Sequence, residues 1–224
     1  MSHPISPIPV YQWGDSGAKI LLVHGWSGRG LQMAPIGQHL SRQNMQVLAF
    51  DAPGHGKARG NETTLFEFED VIHSLDRKYG PFQAIVAHSY GVLASALAIR
   101  NGLKVNALVS ISSPTNMDYL FQDYCHSLDL DRVVREGVRK KFLQRFGKDL
   151  WQRASAVNNL SNFALPMLIL HDKEDSIVPW SLSKELSQAS PYAKFEVSSG
   201  LGHWHILRDP GIHQQIESFL KELN

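Results

Sequence analysis

Residues 85–100 read IVAHSYGVLASALAIR. The apolar run Ile85-Val86-Ala87 enters His88-Ser89-Tyr90-Gly91. It is followed at once by VLASALAIR (92–100), whose alanine and leucine content suits a helix. A strand that becomes a helix with no intervening loop must turn within one or two residues. The residue at such a turn is held in a strained backbone conformation. Its neighbours two before and two after must be small, because larger side chains would collide. Ala87 and Gly91 meet that condition around Ser89. The geometry lifts the Ser89 hydroxyl above the sheet edge and aims the first amides of the helix, with their dipole, at whatever binds there. A serine placed this way is poised to attack a carbonyl. The same residue could also be an ordinary helix N-cap.

Working outward, further short apolar runs bounded by turn residues read as strands: AKILLVHG (18–25), MQVLAFDAPGHG (45–56, ending in a loop), FQAIVAHS (82–89), VNALVSISS (105–113), PMLILHD (166–172) and AKFEVSS (193–199). Residues 31–43 read as a helix, and Thr64 can cap another carrying Leu65, Phe68, Ile72 and Leu75 on one face. Asp209 and Pro210 open a last helix whose stripe is Ile212, Ile216, Phe219, Leu220 and Leu223. Near-continuous apolar strands alternating with helices predict an α/β fold: a mostly parallel central sheet with helices on both faces. Right-handed crossovers then bring every strand's carboxyl end to one edge, where such sheets bind ligands. The rhythm breaks over residues 114–162. There MDYLFQDYCH (117–126) and LDRVVREGVRKKFLQRFGKDLW (130–151) read as helices, so the prediction is one domain, 1–224, with a small helical cap insertion at 114–162.

Composition bounds the function. Of 224 residues, 43% are hydrophobic and 19% charged, and 22 basic against 21 acidic side chains leave a net charge of +1. That balance gives no reason to expect a nucleic acid or an anionic membrane as partner. The single cysteine, Cys125, permits no internal disulfide. The start, MSHPISPIPVYQWGD, lacks the apolar core of a signal peptide, and no apolar run approaches a membrane span. The expectation is a cytoplasmic protein in which the glycosylation patterns at Asn61 and Asn159 arise by chance.

A weak nucleophile needs a base and a group to orient that base. HDKEDSIVP (171–179) follows the fifth predicted strand and GLGHWH (200–205) the sixth, on the same edge as Ser89. The order is serine, acid, histidine. His24-Gly25, the Asp51-Ala52-Pro53-Gly54-His55-Gly56 loop, the Ser89 turn, Asp175-Ser176-Ile177-Val178-Pro179 and Gly202-His203 together resemble the α/β-hydrolase family over residues 18–222. The one departure is Ala87, where the family has glycine.

The resemblance implies a serine hydrolase with Ser89 as nucleophile, His203 as general base and Asp175 orienting the imidazole. It implies an oxyanion hole from the amides of Trp26 and Tyr90. The chain carries no nicotinamide, flavin or phosphate-loop motif, so no cofactor is expected. Asp172 and the more distant Asp118 compete with Asp175 as acid, and His205 competes with His203. His24, His55 and Asp51 read as loop-holding residues. His171, Asp172, Glu174 and Asp175 cluster in sequence without a second ligand group of recognisable spacing, so no metal is expected. Candidate substrate-binding side chains are Trp26 and Tyr90, with Leu120 and Phe121 on a cap face that also carries Met117 and Tyr124. That face either packs on the sheet domain or roofs an acyl pocket. Arg139, Lys140, Lys141 and Arg145 read as a solvated helix face. The expected partner is a small ester or thioester. Acyl transfer, carbon–carbon hydrolysis with the same residues, or non-catalytic small-molecule binding are the alternatives.

Overall fold

Seven strands form one sheet in the computed structural model, which describes residues 8–223. They are β1 (Val10–Trp13), β2 (Ala18–Val23), β3 (Met45–Phe50), β4 (Ala84–His88), β5 (Ala107–Ile111), β6 (Met167–Asp172) and β7 (Ala193–Ser198). Their spatial order is β1-β3-β2-β4-β5-β6-β7. Strands β2 to β7 are parallel, as the apolar runs predict. β1 is antiparallel, with Val10 opposite Phe50 and Trp13 opposite Val47. It had no signal of its own: four residues are too few for a pattern, and pairing with β3 is what makes them a strand. The reading of the chain's start as no signal peptide falls in part on residues 1–7, outside the described residues.

Strand order reverses between β2 and β4, since β3 lies on one side of β2 and β4 on the other. The loops leaving these two strands therefore diverge and leave a crevice at their carboxyl ends. His24-Gly25-Trp26 leaves β2 there, and Ser89 leaves β4.

Two apolar layers sandwich the sheet. On one face α1 (Ala34–Ser41) and α10 (Pro210–Lys221) bring Ile36, Leu40, Ile212, Ile216 and Leu220 onto Ile20, Leu22, Val47, Val86 and Val109. On the other face α2 (Leu65–Tyr79), α3 (Tyr90–Arg100) and later helices cover Leu21, Val23, Leu48, Ile85 and Leu108. Alternate residues of each strand thus enter opposite cores, which is why the strands read as unbroken apolar runs. Helix α3 is buried from Tyr90 to Ile99, and its alanines let it lie close beneath its neighbours.

Local chemistry sets the helix ends. Thr64 accepts from the Glu67 amide at 3.2 Å while the Glu67 carboxylate accepts from the Thr64 amide at 2.7 Å, a complete capping box. The helix predicted over 31–43 divides into a tight 3-10 turn, Gly30–Met33, and α1, because Pro35 is pre-set for a first helical turn.

Between β5 and β6 the chain runs through α4 (Met117–Ser127), α5 (Arg132–Phe146), α6 (Leu150–Arg153) and α7 (Ala156–Leu160). The single helix predicted over 130–151 is broken at Gly147, whose φ of +99° ends α5. Entry and exit are pinned together: the Met117 amide donates to Ala154 O at 2.9 Å and the Ala156 amide to Thr115 O at 2.7 Å. Helix α5 buries none of its residues, and Arg139 bonds Asp118 and lies 4.2 Å over the Trp151 ring. The final covering helix before α10, α8 (Trp180–Gln188), follows the Asp175 loop, and α9 is the short turn Gly202–His205. Among the described residues no helix is long and apolar enough to cross a membrane.

Candidate active site

Ser89 has φ 52° and ψ −123°, between the end of β4 and the first residue of α3. A non-glycine residue there is strained by about 1–3 kcal/mol, and the turn survives because the packing around it leaves no alternative. A Cβ on Gly91 would stand 2.6 Å from His24 O and 2.7 Å from Val23 O, so only glycine lets α3 start against the end of β2. A Cβ on Gly25 would stand 2.9 Å from the Ser89 Cβ. The glycine of the His24-Gly25 pair is thus a spatial neighbour of the elbow. Ala87, where the family has glycine, sits in β4 between Val23 and Ser110, and the turn forms with its methyl in place. Ser89 is nearly buried, with 9% of its surface exposed.

The acid loop leaves β6. Asp175 Oδ2 lies 2.7 Å from His203 Nδ1, and its Oδ1 accepts the amides of Ile177 at 2.9 Å and Val178 at 2.8 Å. Burial alone would raise its pKa, but bonds from His171, His203 and the Val178 amide outweigh that and hold the carboxyl well below the usual carboxylate range. A carboxylate can only accept, so Nδ1 of His203 carries the proton and Nε2 is left as the basic atom.

Asp172, three residues earlier, has a different job. It is fully buried and accepts from Glu174 N at 2.9 Å, Ser198 Oγ at 2.6 Å and Leu201 N at 3.1 Å. It fastens the loop carrying His203 to the loop carrying Asp175. His205 is exposed, and Asp118 is bonded to Arg139 in the insertion. Of the competing acids and bases, Asp175 and His203 are the pair that meets.

His203 reaches the elbow through His88. The His88 Nε2–H donates to His203 O at 3.0 Å, and the two rings lie 4.7 Å apart. Among the described residues no hydrogen bond joins Ser89 Oγ to His203.

Around Trp26 the backbone folds into a turn closed by Gly28 N donating to Gly25 O at 3.1 Å. Ser27 N donates to His55 Nε2 at 3.1 Å and Ala52 N to His24 Nε2 at 3.0 Å. Asp51 accepts from Gly30 N, Lys57 N and the Tyr11 hydroxyl. These three residues hold the two loops against each other, the loop-holding role their neighbouring glycines suggest. The Trp26 and Tyr90 amides donate to no acceptor among the described residues. Their rings pack edge to face at 5.3 Å; Trp26 is half exposed, whereas Tyr90 is buried against Phe68.

Of the two cap residues singled out for binding, Leu120 is half-buried against the core beneath the insertion. Phe121 is buried among Phe142 and Trp151 inside the insertion itself. Sequence reasoning missed Tyr119, whose hydroxyl reaches Ile177 O at 3.4 Å and ties α4 to the acid loop. It also missed His171 as a contact of Asp175, at 3.2 Å. Neither carries a motif; both become visible only when the loops are in place. Among the described residues no group of three or more His, Cys, Asp or Glu side chains converges as metal ligands do.

The profile of the alpha/beta hydrolase family matches residues 20–212. The chain belongs to that family. This α/β hydrolase is 29% identical to 2-hydroxymuconate semialdehyde hydrolase of Pseudomonas putida, over 92% of this chain and 88% of the relative. It is 22% identical to pimeloyl-[acyl-carrier protein] methyl ester esterase of Vibrio cholerae, over 82% and 86%. Among solved structures it is similar to the monoacylglycerol lipase of Paleococcus ferrophilus, with a TM-score of 0.76 at 19% identity, covering 98% of this chain and 100% of that one. At that identity the likeness is one of fold.

Proposed function

We propose that this α/β hydrolase cleaves a small carboxylic ester or thioester through an acyl-enzyme. The observation that carries the reading is the His203–Asp175 pair at 2.7 Å, held by His88 beside the strained turn that carries Ser89. In this reading Ser89 Oγ attacks the carbonyl carbon and its proton passes to His203 Nε2. The charged imidazole is stabilised by Asp175, which stays ionised. The oxygen of the tetrahedral intermediate accepts from the Trp26 and Tyr90 amides, neither of which has another acceptor among the described residues. Collapse expels the alcohol or thiol, protonated by His203. A water then attacks the acyl-enzyme, gives its proton to the same nitrogen, and frees the acid and Ser89. No step draws on a cofactor or metal. Trp26 would border the acyl group, and α4 would form one wall through Leu120.

The relatives' names support hydrolysis and leave the bond open. A second reading is hydrolytic carbon–carbon cleavage next to a carbonyl by the same residues; the Pseudomonas putida relative is named a semialdehyde hydrolase and not an esterase.

A chain-length panel of aryl esters and thioesters, set against a carbon–carbon hydrolase substrate, separates the two. Ser89→Ala should lower ester turnover by about 1000-fold or more and abolish labelling by a fluorophosphonate probe. Unchanged turnover in that variant would remove the acyl-enzyme.

A further inference from the structure

We infer that His171 is a positioning residue for the acid, presenting a second imidazole N–H to the oxygen of Asp175 that orients His203. The inference rests on the acyl-enzyme reading above.

His171 lies in β6 with no exposed surface. Its Nε2 stands 2.9 Å from Val178 O and 3.2 Å from Asp175 Oδ2, and its Nδ1 stands 2.6 Å from Ser183 Oγ. A carbonyl and a carboxylate accept only, so the proton sits on Nε2: it is bonded to Val178 O, and Asp175 Oδ2 lies 3.2 Å from the same nitrogen. Nδ1 is then an acceptor, and the Ser183 hydroxyl donates to it rather than to Ser113 O, which is 3.5 Å away. The tautomer is fixed from both ends.

Asp175 Oδ2 therefore faces two imidazole N–H groups, His203 at 2.7 Å and His171 at 3.2 Å, while Oδ1 takes two backbone amides. Both oxygens of the carboxylate are thus approached by donors. It cannot rotate about its Cβ–Cγ bond without losing donors on both oxygens, so the direction of Oδ2 toward His203 is set before substrate arrives. Such preorganisation is the means by which an orienting acid contributes to rate. The residues before His171 in this strand, Leu168-Ile169-Leu170, are apolar. A leucine at 171 would fill similar space and satisfy neither Val178 O nor Asp175.

Removing this donor also leaves more charge on Oδ2, which stabilises charged His203 more strongly. The acidic limb of kcat/KM should then move to higher pH.

The test uses His171→Leu, which removes the donor, His171→Gln, whose amide nitrogen reaches as far as imidazole Nε2, and Ser183→Ala, which removes the tautomer lock. His171→Leu should lower kcat about 10-fold or more with KM little changed. It should also raise the acidic limb by about 0.5 pH unit. His171→Gln should restore most of kcat and return the limb, and Ser183→Ala should fall between them. The low-field proton resonance of the His203 Nδ1–H···Asp175 bond should shift and exchange faster in His171→Leu. A folded His171→Leu protein with wild-type kcat, limb and resonance overturns the inference. So does an equal loss in the leucine and glutamine variants with an unmoved limb and resonance, which marks packing alone. If the wild type neither turns over esters nor labels at Ser89, the acyl-enzyme reading fails by itself. The resonance, which needs no turnover, then still decides the role of His171.

Discussion

The strained turn at Ser89 rests on small neighbours, Gly25, Ala87 and Gly91. Gly25 is instructive, since its hydrogen faces the Ser89 Cβ across a gap that a methyl would close to 2.9 Å. Gly25→Ala should push the elbow and the Trp26 amide apart. We expect kcat/KM to fall about 100-fold, the scale of one lost oxyanion donor, with a modest loss of thermal stability. Parallel kinetics and thermal unfolding check it; equal and small changes in both would count against a role in the site. Asp175→Asn turns an acceptor into an amide that can present N–H to His203 and favour the wrong tautomer. The expected fall in kcat is about 10,000-fold, read in single-turnover kinetics with an aryl ester. The identity of the acid shows how far single residues are legible. Asp172 and Asp175 stand three apart in one loop, and only the bonds of Asp172 to Glu174, Ser198 and Leu201 set it to holding backbone while Asp175 meets the histidine.

At the scale of elements, the site is a set of loops leaving neighbouring strands, clamped to one another by buried polar groups. Asp172 is the clamp between the β6 and β7 loops. Asp172→Ala would leave the Glu174 and Leu201 amides and the Ser198 hydroxyl without their acceptor, at about 1–3 kcal/mol for a buried unpaired group. It should lower activity by loosening the Gly202-His203 turn although it touches no substrate. Urea unfolding and kcat measured together check this, and full activity at reduced stability would contradict it. Away from the site, the Thr64 capping box on α2 predicts a loss of about 1 kcal/mol in Thr64→Ala with activity unchanged, measured the same way. Elements with strong local patterns were legible: α2 from its cap and stripe, α10 from Asp209-Pro210, and β4 and α3 from the abrupt turn between them. β1 and α8 were not. One is four residues long, and the other buries only Ser183 and Leu186, so its apolar stripe is too narrow to read as a period.

For the molecule as a whole, burial of neutral histidines in the site region couples folding to pH. Burial lowers the pKa of His88 from the ordinary 6.5 to about 3, with a smaller contribution from the neighbouring His203. Burial likewise lowers that of His24 to about 4, with a smaller contribution from His55. Both stay neutral in the fold while the unfolded chain binds protons below the ordinary histidine value. Stability is therefore complete above about pH 6.5 and declines as pH falls, by roughly 1 kcal/mol per unit for each ring. Asp175, shifted down, adds a further loss below about pH 4, where its unfolded form protonates. Urea midpoints should fall between pH 7 and pH 5, and the proton uptake on unfolding should grow over that range, His88 and His24 together contributing nearly two protons by about pH 5. His88→Asn should reduce that uptake by about one. A pH-independent midpoint over this range would refute the account.

The sequence alone determined the layered α/β architecture, because strands buried on both faces must be apolar throughout and helices on a sheet must carry one apolar stripe. It also determined the Ser89 turn, because only small flanking residues permit that backbone. The tertiary structure decided which acid meets which histidine, and it brought His88 against His203, 115 residues along the chain. Those pairings depend on distances between loops from different strands, and a linear pattern of residue types holds no measure of such distances.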